Sequence, residues 1–292
     1  MDTDEAKGRN FSGTLGLEWD IIKGLTFRTS GTVQYNVNKY NTYTIAWYDG
    51  AESSASVSKN ESYTYMWDNT LNYVNTWKKH SLVGLVGFSI EKYESDGLKA
   101  SGSGFPDDQV LTNLNSAAKK NSISSSYSSN TLASFLSRLE YKFNNRYLLT
   151  LNFRADGSSQ FGPDKRWGYF PSVSVGWKFT SEPFMQNQDW LSLGKLRFGW
   201  GQLGNNRINE LSRYTLLNTE KNYSFGIGNH RVYPGTTSIL IGNPDIHWEK
   251  TETFNVGLDL GLFNNRLTLG LEWFTKLTTD MLLRVPAFYR IR

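Results

Sequence analysis

Histidine is the side chain best suited to hold a metal or move a proton near neutral pH, and this chain has three: His80, His230 and His247. None falls into an H-x-H or H-E-x-x-H spacing that would bring two imidazoles to one zinc ion. Asp107-Asp108, and Asp49 with Glu52, sit in polar stretches where calcium is conceivable and a solvated loop is the simpler reading. Gly199-Trp-Gly201-Gln-Leu-Gly204 reproduces G-x-G-x-x-G. The polar run NNRINELSRY follows it where a dinucleotide fold needs a helix, so these glycines read as curvature or close packing at a strand end. There is no G-x-S-x-G elbow and no cysteine, so a serine nucleophile lacks its usual setting, and thiol nucleophiles, thiolate metal sites and disulfides are absent. The residues therefore predict no covalent chemistry and no cofactor. The remaining candidates are aromatics in polar stretches, Trp47, Tyr48, Tyr223, Phe225 and Tyr233, which could stack on sugar rings, hold peptide side chains or anchor their own loops.

What must position them is a β-rich chain. Of 292 residues, 15% are aromatic, 26 are glycine and only 7 are proline, which excludes collagen-like and proline-rich architectures. The formal net charge of +4 is spread along the chain with no basic tract, so nucleic acid is not an expected partner. The mean hydropathy is −0.49, and the longest apolar run, Leu82 to Phe88, is far too short for a membrane-spanning helix. Residues 1–8 contain no apolar core and do not read as a signal peptide, so the chain is expected to be cytoplasmic or a mature or internal piece of something larger.

Alternation with period two recurs throughout and helical spacing is nearly absent. In 131–143, Ala133, Phe135, Leu139, Tyr141 and Phe143 fall on one face, with Ser134, Arg138, Glu140 and Lys142 on the other. After Asn144-Asn145, a pair suited to a tight hairpin because asparagine tolerates positive φ, the pattern resumes. Tyr147, Leu149, Leu151 and Phe153 then oppose Thr150, Asn152, Arg154 and Asp156. Ten strands are predicted, near 10–21, 25–36, 61–75, 81–92, 131–143, 146–157, 167–179, 191–204, 247–263 and 266–282. The connections between them mostly alternate short and long. Residues 158–166 and 180–190 are intermediate, and 158–166 must count with the long set. The serine- and glycine-rich stretches within 93–130 carry no period and are expected to be mobile or disordered. No internal repeat of fixed length is apparent.

Turns at one end and loops at the other describe an outer-membrane barrel. A soluble sandwich also alternates, but it buries its apolar face. Here the opposite face is rich in charge (Arg138, Glu140, Lys142, Arg154, Asp156, Lys178), which suits a wet lumen. Aromatics near strand ends, among them Trp19, Tyr35, Trp67, Trp77, Phe143, Tyr147, Trp167, Trp200 and Trp248, resemble interfacial girdles.

From Asn145 onward whole words resemble the SusC/RagA-type TonB-dependent transporters of Bacteroidota. They are Arg154-Ala-Asp-Gly-Ser-Ser-Gln-Phe161, Arg166-Trp-Gly-Tyr-Phe-Pro-Ser-Val-Ser-Val-Gly-Trp177, the run from Leu193 to Asn205, Asn243-Pro-Asp-Ile-His-Trp-Glu-Lys250 and Thr253-Phe-Asn-Val-Gly-Leu-Asp-Leu260. These words cover about half the chain in order, while 1–140 share only the general pattern. The resemblance implies an outer-membrane barrel of about 22 strands around a plug, driven by TonB, often capped by a SusD-like lipoprotein and importing oligosaccharide or peptide. It transfers no substrate residue to this chain.

The expected fold is therefore all-β: residues 1–292 form a segment of about ten antiparallel transmembrane strands, part of a larger plugged barrel. No plug, TonB box or signal peptide is recognisable in it, and lipid is the expected neighbour of its apolar face. Two other readings compete. One is a complete ten-stranded outer-membrane protease, which needs His230 or His247 among several acids on one rim and a first strand paired with the last. The other is a soluble all-β carbohydrate-binding module.

Overall fold

The computed structural model describes residues 2–48, 50–107, 110–185, 188–219, 222–224, 232–233 and 235–283. Among them there is no α-helix. Ten strands follow one another in a single sheet: β1 (Thr3–Ile22), β2 (Leu25–Thr44), β3 (Ser54–Trp77), β4 (His80–Ser103), β5 (Lys119–Phe143), β6 (Tyr147–Ser158), β7 (Trp167–Trp177), β8 (Leu191–Asn205), β13 (Glu249–Leu262) and β14 (Leu267–Thr279). The segment between β8 and β13 adds four short strands, β9 (Leu216–Asn218), β10 (Tyr223–Ser224), β11 (Val232–Tyr233) and β12 (Thr237–Leu240). Of these, β9 pairs with β12 and β10 with β11. All ten predicted strands are present. The first and last, β1 and β14, stand at opposite edges of the strand order, so the pairing required by a closed ten-stranded protease is not made.

The asparagine turns form as the sequence dictates. Asn144 and Asn145 take φ of 51° and 53°, and Asn264 and Asn265 take 57° and 61°, the left-handed region that asparagine occupies more easily than other non-glycine residues. Gly24 turns β1 into β2 at φ 82°, where an added Cβ would strike the carbonyl of Val74. The backbone links these turns into one line: Val74 N–H donates to Gly24, Asn144 to Lys79, Lys178 to Arg146 and Phe263 to Trp190. Because the sheet is a meander, 178–190 must lie on this turn end and 159–166 on the loop end. That confirms the assignment of 158–166 to the long set.

Two of the three long connections were overestimated. Strands run to Thr44 and resume at Ser54, and they run to Ser103 and resume at Lys119, leaving 45–53 and 104–118 as loops. The serine run at 121–130, expected to be mobile, is the first half of β5. No apolar alternation announces a strand that is wet on both faces, but its backbone is still paired by neighbours and its hydroxyls link across strands. The Ser122 hydroxyl lies 2.8 Å from that of Ser101 on β4.

The chain forms two compact units. One comprises Met1–Leu17, Thr29–Asp68 and Ile90–Thr131; the other comprises Glu18–Arg28, Asn69–Ser89 and Leu132–Arg292. Within the second unit the sheet has two unlike faces. Register pairs Leu139 with Leu151, Leu149 with Val175 and Phe198 with Val256, all on one face, where Leu151 is 40% and Leu271 61% exposed. Aromatic rows bound that face: Phe88, Phe135 and Trp167 toward the loop end, and Trp77, His80, Phe143 and Tyr147 toward the turns. Phe135 and Phe143 are eight residues apart on β5, about 27 Å along a strand rising about 3.4 Å per residue. No helix among the described residues is long and apolar enough to cross a membrane.

Candidate functional site on the polar face

Alternation sends Arg138, Glu140, Lys142, Arg154, Asp156, Lys195, Arg197 and Asp259 to the opposite face, and register decides which of them meet. Arg138 on β5 faces Asn152 on β6, which faces Ser172 on β7. The guanidinium Nε donates to the Asn152 carbonyl at 2.8 Å, and the Asn152 amide donates to Ser172 at 3.0 Å. One rung toward the loops, Arg154 donates to both oxygens of Asp156 (2.8 and 2.7 Å) and to the Ser134 hydroxyl at 2.9 Å. Farther along the sheet, Arg197 on β8 grips Asp259 on β13 through two hydrogen bonds of 2.8 and 2.9 Å. Charged groups on a fully desolvated face would be costly, whereas bridged side chains on a wet wall are not.

At the loop end this face closes over with a small apolar core. Phe161, Phe170 and Trp248 are buried together, with Leu132, Ile208, Ile246 and Leu282 packed against them. Pro171 explains where the core begins. It has no N–H to donate, and the β7–β8 ladder runs only from Ser172 to Trp177. Beyond it the Phe170 ring occupies space that Gly168 and Gly204 leave open, because a Cβ on either would strike the ring. The Trp248 ring packs on Phe161 and Phe170 at 5.3 Å from each. Arg213 donates to the carbonyl of Phe161 at 3.0 Å and Gln160 to that of Ile208 at 3.0 Å, so the 159–166 loop and the start of the 206–248 segment are fastened to each other.

At the turn end, Glu182 is buried under Trp177, whose indole donates to it at 3.2 Å, and beside Arg146 at 3.2 Å. A hydrogen bond from the Tyr147 hydroxyl is the largest influence holding the Glu182 carboxyl below its ordinary value. Trp177 and Arg146 act in the same direction.

The residues first singled out do not assemble into one place. Trp47 and Tyr48 lie in the 45–53 loop, 70% and 75% exposed. Tyr223 and Tyr233 are register partners across the β10–β11 ladder, and Phe225 lies outside the described residues. Asp49, Asp108 and His230 also lie outside them. Glu52 pairs with Lys119 and accepts from Ser103, an ion-paired loop residue. His80 stacks on Trp77 and bonds Tyr141 at 2.7 Å, placing it in an aromatic row rather than a bare turn. His247 lies 3.5 Å from Asp280 as a single exposed pair. Among the described residues no three histidines or carboxylates gather into a metal-sized cluster. Gly199, Gly201 and Gly204 lie within β8 and leave room for Asn255, Ser172 and Phe170 respectively, which is the close packing expected of them. The sequence reading missed the Phe161–Phe170–Trp248 core and set Trp248 in an interfacial girdle, whereas its ring is buried among these aromatics. The core's only trace is that Phe161, Phe170 and Trp248 each fall inside a motif word.

Comparison with known proteins agrees with this geometry. Residues 1–291 match the family described as TonB dependent receptor-like, beta-barrel. The TonB-dependent receptor P39 of Formosa agariphila is 31% identical over 285 residues, covering 95% of this chain and 27% of that protein. The TonB-dependent receptor SusC of Bacteroides thetaiotaomicron is 42% identical over 157 residues, 52% of this chain and 15% of that protein. The solved structure of the RagAB peptide transporter superposes with a TM-score of 0.86 at 26% identity, covering 99% of this chain and 32% of that one. The chain thus spans about a third or less of the length of these relatives. It belongs to the TonB dependent receptor-like β-barrel family, and within it to the SusC/RagA type found in Bacteroidota.

Proposed function

We propose that residues 1–292 form one stretch of the wall of an outer-membrane active transporter that imports oligosaccharides or peptides. In this reading TonB supplies energy through a plug outside this stretch, and a SusD-like lipoprotein sits at the loop end. The observation that carries the reading is the two-faced sheet: a solvent-exposed apolar face between aromatic rows, backed by a hydrogen-bonded charged face. A soluble carbohydrate-binding module would bury the face that carries Leu139, Leu151, Val175 and Leu271. The likeness to SusC and to RagAB supports the class of transporter, and RagAB itself is a peptide transporter. A wall segment does no covalent chemistry; it excludes lipid, lines the lumen and presents loops. Trp47, Tyr48, Tyr223, Phe225 and Tyr233 are the proposed ring-stacking contacts to cargo.

The test is a deletion strain complemented with the wild-type gene and grown on single oligosaccharide or peptide sources. The reading expects the protein in outer-membrane fractions and a growth defect on one source class that TonB inactivation reproduces. Recovery in the soluble fraction, or uptake unaffected by loss of TonB, would overturn it.

A further inference from the structure

One row of the polar face is built differently from its neighbours. Across five strands, Lys142 faces Leu148, Leu148 faces Gly176, Gly176 faces Arg197 and Arg197 faces Gly257. Two of these five positions have no side chain, so neighbours spread over bare backbone. A Cβ at Gly176 would lie 3.2 Å from Leu148 Cδ1 and 3.3 Å from the Cε of Lys195, and one at Gly257 would lie 2.9 Å from the Arg197 guanidinium. The result is a recess of about 410 Å³ on the turn side of the wall, walled by Lys142, Lys195 and Arg197 with the hydroxyls of Thr150 and Ser174.

The charges here do not balance locally. Lys195 faces Asp259 directly in register, but Arg197 takes both oxygens of that carboxylate. Glu140, the acid nearest Lys142 on the same face, pairs with Arg138 at 3.7 Å. Lys142 and Lys195 therefore have no ion-pair partner among the described residues, and no carboxylate lines the recess. Two lysines thus line one glycine-floored recess together with the hydroxyls of Thr150 and Ser174. That is the donor set an oxyanion requires.

We propose that this recess is an anion site taking the carboxylate or phosphate group of a small anionic ligand, with Lys142 and Lys195 as its charged clamps. It rests on the reading of this face as the wet side of the wall, not on the identity of the cargo.

The test uses the protein as its host makes it, purified from membranes and titrated calorimetrically at low ionic strength. Inorganic phosphate serves in one arm and citrate in the other, to tell the two anion chemistries apart. Saturable binding that weakens as sodium chloride is added is expected in at least one arm. The K142Q/K195Q double variant should weaken it by roughly tenfold or more, while K142R/K195R, which keeps both charges, should retain it. Gly176→Leu fills the trough while leaving both lysines in the chain and should weaken binding as well, which separates a shaped site from diffuse attraction. The absence of saturable heat in the wild type, or unchanged affinity in K142Q/K195Q, would overturn the proposal. If the protein binds the anion but needs no detergent to stay in solution, the site stands and the membrane reading falls.

Discussion

The indole N–H of Trp248 donates to the backbone carbonyl of Arg166, 2.8 Å away, across 82 residues of chain. The bond ties the residue just ahead of β13 to the residue just ahead of β7, and it does so beside the buried Phe161 and Phe170 rings. Two motif words that look unrelated in sequence are thus two halves of one contact. Trp248→Ala removes both the ring and the bond and should destabilise the folded protein by about 3–5 kcal/mol, whereas Trp248→Phe, which forfeits mainly the bond, should cost about 1 kcal/mol. Denaturant midpoints in detergent would measure both. Equal losses would mean that ring burial contributes little.

Gly204 exists for Phe170. An alanine there would press its methyl into the ring, so Gly204→Ala should cost about 1–3 kcal/mol by overpacking. Combining it with Phe170→Leu, which frees ring volume, should recover part of that loss. A double-mutant cycle reads this coupling directly, and strict additivity of the two changes would refute the packing argument.

Leu151 and Asn152 are neighbours on β6 with opposite fates. Leu151 lies mid-strand on the exposed apolar face, so Leu151→Arg should destabilise the protein in lipid by roughly 2–4 kcal/mol. Asn152→Arg gives up the links to Arg138 and Ser172 but stays on the wet face and should cost less. Spin labels at the two positions offer the sharper measurement. Position 151 should respond to an apolar quencher and position 152 to an aqueous one, and shielding of 151 from both would place it in a protein core.

Glu182 makes the turn end sensitive to acid. Its carboxyl is held below the ordinary value near 4.5, first by Tyr147, then by Trp177 and Arg146. A depressed folded-state pKa contributes stability that is present in full above the ordinary value and disappears as pH falls through the folded one. Between roughly pH 6 and pH 3 the wild type should lose stability more steeply than Glu182→Gln, which has no proton to take up. Parallel pH profiles for the two proteins would show that Glu182 does not contribute.

Strand number, the two faces and the asparagine turns were legible in the sequence because each rests on local chemistry. Period-two alternation fixes which side chains share a face whatever the neighbours are, and Asn144-Asn145 accepts positive φ without help from distant residues. The serine-rich 121–130 stretch was illegible because a strand wet on both faces has no hydrophobic signature; only its pairing partners make it a strand. The polar face was readable as a composition of charges but not as a set of partners. Asp259 could have answered Lys195, its direct register neighbour, and the fold gives it to Arg197 instead. The Phe161–Phe170–Trp248 core was hidden for the same reason. Burial of an aromatic depends on a missing ladder bond at Pro171 and missing side chains at Gly168 and Gly204. Those vacancies acquire meaning only when strands far apart in the chain are laid side by side.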